Sequence, residues 1–272
     1  MPRKIDSSLT KEIVKLRGER RAYKQIAKDL SIAVGTVYKY SKGLIKSVGR
    51  EHLRKPVRIP STLERAKLVT MGHCLFDGSV SRGTIRYTNS SMDLIEEFII
   101  NMSTSYQIEP NGIGQETGKH LPLFTVSYYS RNVTDDLQRL IPTFSTKSED
   151  CLLPEAFFDL NDSDIQAFLR TFWEDEGCVT LKGEIQGKTS NPALRDQLLQ
   201  LHGMVGVKCG KFVDRGGNAY GLRLRISGPN LKNFDEKVGF RKAIITRGFN
   251  VGTKKRDLLY EVYRHHLTEE SL

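Results

Sequence analysis

No apolar run in this 272-residue chain approaches the roughly 20 residues that a membrane-spanning helix needs. The opening residues, MPRKIDSSLTKE, lack the apolar core of a signal peptide, so the chain is expected to stay in the cytoplasm without membrane attachment. Cysteine is scarce: Cys74, Cys151, Cys178 and Cys209 are scattered, with no C-x-x-C pair. That spacing argues against a zinc framework or a disulfide scaffold and fits small residues in a reducing compartment. His265 and His266 are adjacent, point to different helix faces and make a poor metal pair. No splicing segment flanks the rest of the chain, which argues against an intein origin. What remains, 38% hydrophobic and 8% aromatic, is the composition of a globular protein with room for two or three compact units.

Charge is unevenly placed. Residues 1–60 hold 16 lysines and arginines against 5 acidic residues, whereas the remaining 212 residues hold 26 against 27. A basic excess of that density points to a polyanionic partner for the N-terminal segment. A merely solvated tail would lack hydrophobic periodicity, and this segment has it. Ile13, Val14 and Leu16 mark one amphipathic helix; YKQIAKDL and VGTVYKYSKGL follow as two short ones, with Ile26, Ala27, Leu30, Ile32, Val37 and Tyr40 as their shared core.

Residues 1–42 resemble a helix-turn-helix of the resolvase or homeodomain-like type, with Ser31 where the turn usually has glycine. In such a unit the second helix enters the major groove. That makes Thr36, Tyr38 and Lys39 the candidates for base edges and Arg20, Arg21, Lys24 and Lys42 the candidates for phosphates. The alternative is a plain three-helix packing module. Residues 43–60, with two prolines and no sustained period, are expected to form a basic linker.

Beyond residue 60 the chain repeats itself. STLERAKLVTMGHCLFDG ends at Gly78 and SDIQAFLRTFWEDEG at Gly177. Each begins with a capping-box pattern, Ser61/Glu64 and Ser163/Gln166. Each is apolar round much of its circumference, and each stops at an acid followed by a glycine suited to a left-handed helix ending. Two alternating stretches, a helix, two more strands and a last helix follow in both copies, with Ser130 and Ser227 closing the fourth strands. The pattern predicts an α+β fold: an all-α N-terminal unit, then two tandem αββαββα repeats, 61–150 and 151–272, related by a pseudo-two-fold axis within a monomer. RDLLYEVYRHHLTEESL is expected to add a last amphipathic helix.

Two equivalent buried helices are most simply satisfied by packing on each other, which would bring Asp77 and Glu176 to one edge of their interface. Carboxylates gathered at helix C-termini repel each other and the helix dipole. A divalent cation relieves that repulsion, and hard oxygen donors suit magnesium. The flanking sheets would form a groove for double-stranded DNA. GLRLRISG places Arg223 and Arg225 on one strand face, which Lys182, Lys188, Lys208 and Lys211 are expected to join, with Arg82 and Arg86 in the first half. Against this, residues 61–150 hold 8 basic and 11 acidic residues.

Both long helices resemble the LAGLIDADG motif, and residues 61–272 resemble a single-chain, two-repeat homing endonuclease. FLRTFWEDEGCV carries the more specific match; the first copy keeps Gly72 and the terminal DGSV. The resemblance implies two sheets straddling DNA and magnesium-dependent double-strand cleavage across the minor groove. It also implies metal binding and catalysis at Asp77 and Glu176, and assisting lysines late in each repeat, for which Lys254, Lys255 and Lys147 are the candidates. The chain departs from the pattern at Phe76 and Asp175 in the penultimate positions and at Thr171 opposite Gly72. These departures bear on how closely the helices approach, and Asp175 is expected to be structural. A DNA-binding transcription regulator on a catalytically inactive scaffold of the same kind is the alternative from another class, and an RNA-folding maturase a third.

Overall fold

Helix α1 (Ser7–Gly18) turns Ile13 and Leu16 onto Ile26 and Ala27 of α2 (Tyr23–Asp29), and Val37, from helical backbone over residues 34–38, completes this small core. Leu30 is the C-cap of helix α2. There Ser31 adopts a left-handed φ of 50°. Ile32 N–H then reaches Ala27 O at 3.0 Å, and Ser31 N–H reaches Lys28 O at 3.2 Å. This pair of bonds is the helix ending that normally recruits glycine, and Ser31 sustains it with a side chain present.

The computed structural model describes residues 7–19, 21–38, 40–41, 57–118, 120–145, 150–180, 184–214, 219–225, 228–246 and 250–269. Arg20, Lys39, Lys42, Lys147, Lys182 and Ser227 lie outside the described residues, as does the expected linker up to residue 56. The chain divides into two units, 1–56 and 57–272. Residues 57–60 differ from the linker expectation because they pack on the larger unit. Arg58 donates its backbone N–H to Tyr106 O at 3.2 Å and a guanidinium N–H to Thr104 O at 3.1 Å; it also pairs with Glu64, and Pro60 is buried.

The larger unit runs α3 (Arg65–Phe76), β1 (Gly78–Ser81), β2 (Thr84–Asn89), α4 (Met92–Tyr106), β3 (Gly112–Glu116), β4 (Leu123–Tyr129) and α5 (Arg131–Leu140). The same succession follows in α6 (Asp162–Glu176), β5 (Gly177–Thr180), β6 (Glu184–Thr189), α7 (Pro192–Met204), β7 (Gly210–Val213), β8 (Tyr220–Arg225) and α8 (Gly228–Lys237). Helix α9 (Lys255–Glu269) closes the chain. Each copy builds an antiparallel four-stranded sheet, ordered β1-β2-β4-β3 and β5-β6-β8-β7. One apolar core joins the copies, drawing Leu68 and Met71 from α3, Phe168, Leu169 and Phe172 from α6, and the inward strand positions of both sheets.

Strand alternation sorts the side chains. Ile85, Tyr87, Val126 and Tyr128 face the helices, while Ser79, Arg86 and Ser127 line up across the register on the open face. In the second sheet Ile185, Leu222 and Leu224 are buried and Gln186 sits opposite Arg223 outside. Lys211 departs from the expected grouping with Arg223. It lies opposite Leu222, on the helix side, and its ammonium meets Asp196 of α7 at 2.9 Å.

The helix ends also differ in detail from the sequence reading. Helix α3 starts at Arg65 with Glu64 as an uncapped N-cap residue, because the Glu64 carboxylate pairs with Arg58 instead. Helix α6 is capped by Asn161, whose side chain accepts from Asp164 N–H at 3.1 Å, so Ser163 lies inside the first turn. The terminating glycines are not left-handed. Gly177 has φ −77°, and a Cβ there would meet Trp173 O at 2.3 Å. A Cβ on Gly78 would meet Cys74 Cα at 2.6 Å. These glycines serve close backbone approach as each helix folds straight into a strand.

Candidate functional site

The site is set by the crossing of α3 and α6. At one end Arg65 pairs with Asp164 at 3.1 Å. Midway, a Cβ on Gly72 would stand 1.9 Å from Thr171 Oγ1, so the threonine occupies the space the glycine leaves. Its hydroxyl donates to Phe168 O at 2.7 Å and needs nothing from Gly72.

The two bulky penultimate residues do not hold the helices apart, because each reaches into the other copy. Phe76 lays its ring against Phe168 and Phe172, at centroid distances of 6.0 and 5.2 Å. Asp175, at the corresponding position, accepts the Tyr87 hydroxyl at 2.7 Å and meets His73 Nδ1 at 2.9 Å. Burial opposes protonation of His73, but the Asp175 carboxylate beside it more than compensates and raises the imidazole above its ordinary value. Asp175 is thus committed to holding the two copies together.

Beyond this crossing Asp77 and Glu176 line one cavity of about 930 Å³, with Asn89, Cys178, Ile244 and Lys255 among its walls. Asp77 presents part of its surface to the solvent in the cavity mouth, yet the surrounding protein still crowds its carboxyl group. Burial, then the nearby Asp175 charge, push it up to about 7, against the pull of Lys255, His73 and a 3.1 Å hydrogen bond from Asn89. Glu176 is pushed up to about 8 by burial first, then by Asp77 and Asp175, with Lys255 opposing. Lys255 is 8% exposed. Burial lowers its ammonium while Glu174, Asp175, Asp77 and Cys178 counteract. Its Nζ donates to Glu174 O at 2.7 Å.

Acidic groups outnumber basic ones in this arrangement. The Asp175 carboxylate is engaged by Tyr87 and His73, and the Glu174 carboxylate by three backbone amides, leaving Asp77 and Glu176 facing the cavity with one buried ammonium beside them. The donors are hard oxygens, and two carboxylates at raised values suit a divalent cation such as magnesium. Among the described residues no group of three or more histidine, cysteine or acidic side chains could hold a metal by itself. Magnesium commonly takes one or two carboxylates from the protein and the remainder from water and substrate phosphates, so the donor set fits a cation shared with a phosphodiester.

The other expected residues fall in different places. Lys254 is outside the cavity walls, half-exposed and paired with Asp93 at 3.3 Å, so of two adjacent lysines only Lys255 lines the cavity of Asp77 and Glu176. Arg86 and Arg223 stand exposed on the open sheet faces, and Arg82 is exposed in the β1–β2 turn. Lys188 pairs with Asp214 at 3.0 Å, Lys208 is exposed between α7 and β7, and the backbone of Arg225 ends β8. In the N-terminal unit Lys24 is exposed and Thr36 half-buried, while the Tyr38 ring meets Tyr23 edge-on at 5.6 Å. Arg21 is tied to Asp29 at 3.2 Å and Glu19 at 3.5 Å.

Three contributors escaped the sequence reading: Asn89, Glu174 and the His73–Tyr87 pair. Asn89 had a readable signal. The hairpin tip at Arg82–Gly83 pairs Gly78 with Tyr87, which brings Asn89 back over the end of α3.

Residues 163–239 match the family model of a LAGLIDADG-like domain. Among curated proteins, the replicative DNA helicase DnaB of Nostoc sp. is 27% identical over 214 residues, covering 70% of this chain and 24% of the helicase. That of Rhodothermus marinus is 25% identical over 240 residues, covering 78% and 24%. The chain therefore spans about a quarter of the length of these relatives. Among solved structures, I-DmoI in complex with DNA and Mn is 15% identical with a TM-score of 0.48, covering 65% of this chain and 98% of that one. Full-length DUF199/WhiA from Thermatoga maritima is 13% identical with a TM-score of 0.49, covering 78% and 63%. The family match falls on the second αββαββα copy, from α6 to α8.

Proposed function

We propose that the chain is a site-specific, divalent-metal-dependent double-strand DNA endonuclease. One observation carries the reading: Asp77 and Glu176, ending two crossing helices, face a common cavity as crowded carboxyl groups with a buried lysine beside them. Asp77 and Glu176 would hold magnesium, which when bound supplies charge stabilisation and an activated water for phosphodiester hydrolysis. Asn89 orients Asp77 through its amide hydrogen bond. Lys255 lines the same cavity, where its ammonium would favour an approaching phosphate. Arg86 and Arg223 would meet the duplex from the open sheet faces, with Arg82, Lys188 and Lys208 at their margins.

The N-terminal unit is read as a helix-turn-helix DNA-binding domain spanning 1–42, using Thr36, Tyr38 and Lys39 on bases and Arg20, Arg21, Lys24 and Lys42 on phosphates. Tethering two binding modules on one chain raises the effective concentration of the second once the first has bound. Residues 61–150 and 151–272 are the two halves of the nuclease reading.

The experiment is selection of cleaved sequences from a randomised duplex library with magnesium or manganese. Asp77→Asn and Glu176→Gln are each expected to lower cleavage by roughly a thousandfold or more, the scale of several kcal/mol of charge stabilisation. Undiminished cutting by the double variant would remove the site. The second reading, a DNA-binding regulator on an inactive scaffold, is favoured by the acidic balance of residues 61–150, with 8 basic against 11 acidic residues. It expects selective binding that is indifferent to the metal and to both substitutions.

A further inference from the structure

Glu174 precedes Glu176 by two residues and also lines the cavity, but its carboxylate is engaged elsewhere. It is 2% exposed and turned to a strap of chain that follows α8. Three consecutive amides of that strap converge on it: Arg241 N–H and Lys242 N–H on Oε1, the latter at 3.0 Å, and Ala243 N–H on Oε2 at 2.7 Å. Both oxygens are used, and all three partners are donors. A glutamine here would aim its own N–H₂ at an N–H, so the position calls for a carboxylate.

The strap leads to Lys255. Ala243 O accepts the backbone N–H of Lys255 at 2.9 Å, and Ile244 bridges to Lys254. Ile245 N–H meets Thr253 O at 2.8 Å, closing the excursion between them. The Lys255 ammonium then returns to the backbone carbonyl of Glu174 itself, at 2.7 Å. The circuit is closed: Glu174's side chain fixes the start of the strap, and its carbonyl receives the ammonium at the end. The first copy shares in it, since Ser91 Oγ donates to Lys242 O at 2.8 Å and Lys242 pairs with Glu97 at 3.3 Å. At the position matching Glu174, the first copy has Leu75, which has no carboxylate to offer.

We propose that Glu174 is a positioning residue, which acts by seating residues 241–243 so that Lys255 is delivered to the cavity of Asp77 and Glu176. This rests on the nuclease reading for its purpose, but not for its test. In the full-length protein, each lysine's rate of acetylation by an amine-reactive acetyl ester is read by peptide mass spectrometry. Lys255 should be protected in the parent chain, and Glu174→Gln should raise its rate about tenfold or more by opening the strap locally. Lys67, buried elsewhere beside Asp136, should stay protected, which separates a local release from general unfolding. Unchanged protection of Lys255 in both Glu174→Gln and Glu174→Ala would overturn the proposal.

Hydrogen exchange on the unsubstituted protein gives a second measurement should either variant fail to fold. The amides of 241–243 should exchange slowly as a set, and free exchange there would overturn the proposal equally. Where the selected DNA is cut, Glu174→Gln and Lys255→Met should each lower the cleavage rate, and the double variant should be no slower than Lys255→Met alone. Additive losses would mean that Glu174 acts by another route. If the parent protein cuts nothing, the nuclease reading fails while the acetylation result still decides the role of Glu174.

Discussion

Thr171 stands where a side chain on Gly72 would be, its Oγ1 lying 1.9 Å from the position of the missing Cβ. Neither residue is unusual alone; the fit belongs to the pair. Gly72→Ala should therefore overpack the crossing and destabilise the larger unit by about 1–3 kcal/mol, as other overpacked cores are. Adding Thr171→Ser trims only a methyl group and should help little, whereas adding Thr171→Gly should restore most of the loss. Urea unfolding midpoints check this, and a Gly72→Ala protein of undiminished stability would mean that the helices are free to separate.

A second prediction concerns pH. Asp77 and Glu176, at about 7 and about 8, hold their protons more tightly in the folded chain than in the unfolded one, where carboxyl groups titrate near 4. The folded state thus binds more protons between about pH 4 and about pH 8, and stability must fall as pH rises through that window. His73, raised by Asp175, adds a loss of the same sign: its contribution is full below its ordinary value and disappears as pH climbs. In chelator the melting temperature should drop by several degrees between pH 5 and pH 8, at ~2–4 °C per kcal/mol for a unit of this size. Magnesium should recover the loss at pH 8 and do little at pH 5. Asp77→Asn with Glu176→Gln should flatten most of the slope, leaving the part due to His73. A slope of opposite sign, or a magnesium effect that survives the double substitution, would show that these carboxyls are not the linked groups.

The N-terminal unit offers a third. Ser31 sustains φ 50° with a side chain in place, where left-handed backbone costs an L-residue about 1–2 kcal/mol. Ser31→Gly should raise the stability of this unit by about 1 kcal/mol, part of the relief being offset by the greater freedom of glycine in the unfolded chain. Slower exchange of the amides in α2 would register the gain. Faster exchange would place the turn in a different conformation.

Much of the architecture was legible because it is written twice. The matching ends at Asp77–Gly78 and Glu176–Gly177, with strands and helices recurring in the same order, were enough to foresee two four-stranded copies around paired helices. Finer assignments failed where a local pattern competes with a distant partner. The capping box at Ser61 and Glu64 dissolves because Arg58 takes the carboxylate. Lys211 was grouped with Arg223, but the register sets it opposite Leu222 on the helix side, where Asp196 receives its ammonium. Lys254 and Lys255 are indistinguishable as letters; the start of α9 and the strap behind it decide which one turns inward. Glu174 was hidden for the same reason, since its three donors lie 67 to 69 residues away along the chain.

The crossed placement of Phe76 and Asp175 bears on whether the halves are interchangeable. Each copy carries a key cut for the other: a phenyl ring for the apolar pocket of Phe168 and Phe172, a carboxylate for the donors Tyr87 and His73. A protein assembled from two first copies would push an aromatic ring onto an imidazole and a phenol. One assembled from two second copies would strand a negative charge among benzyl groups. Single-copy fragments of this chain should accordingly make poor homodimers and recognise only their opposite number, a lock that keeps one copy of each kind on either side of the crossing.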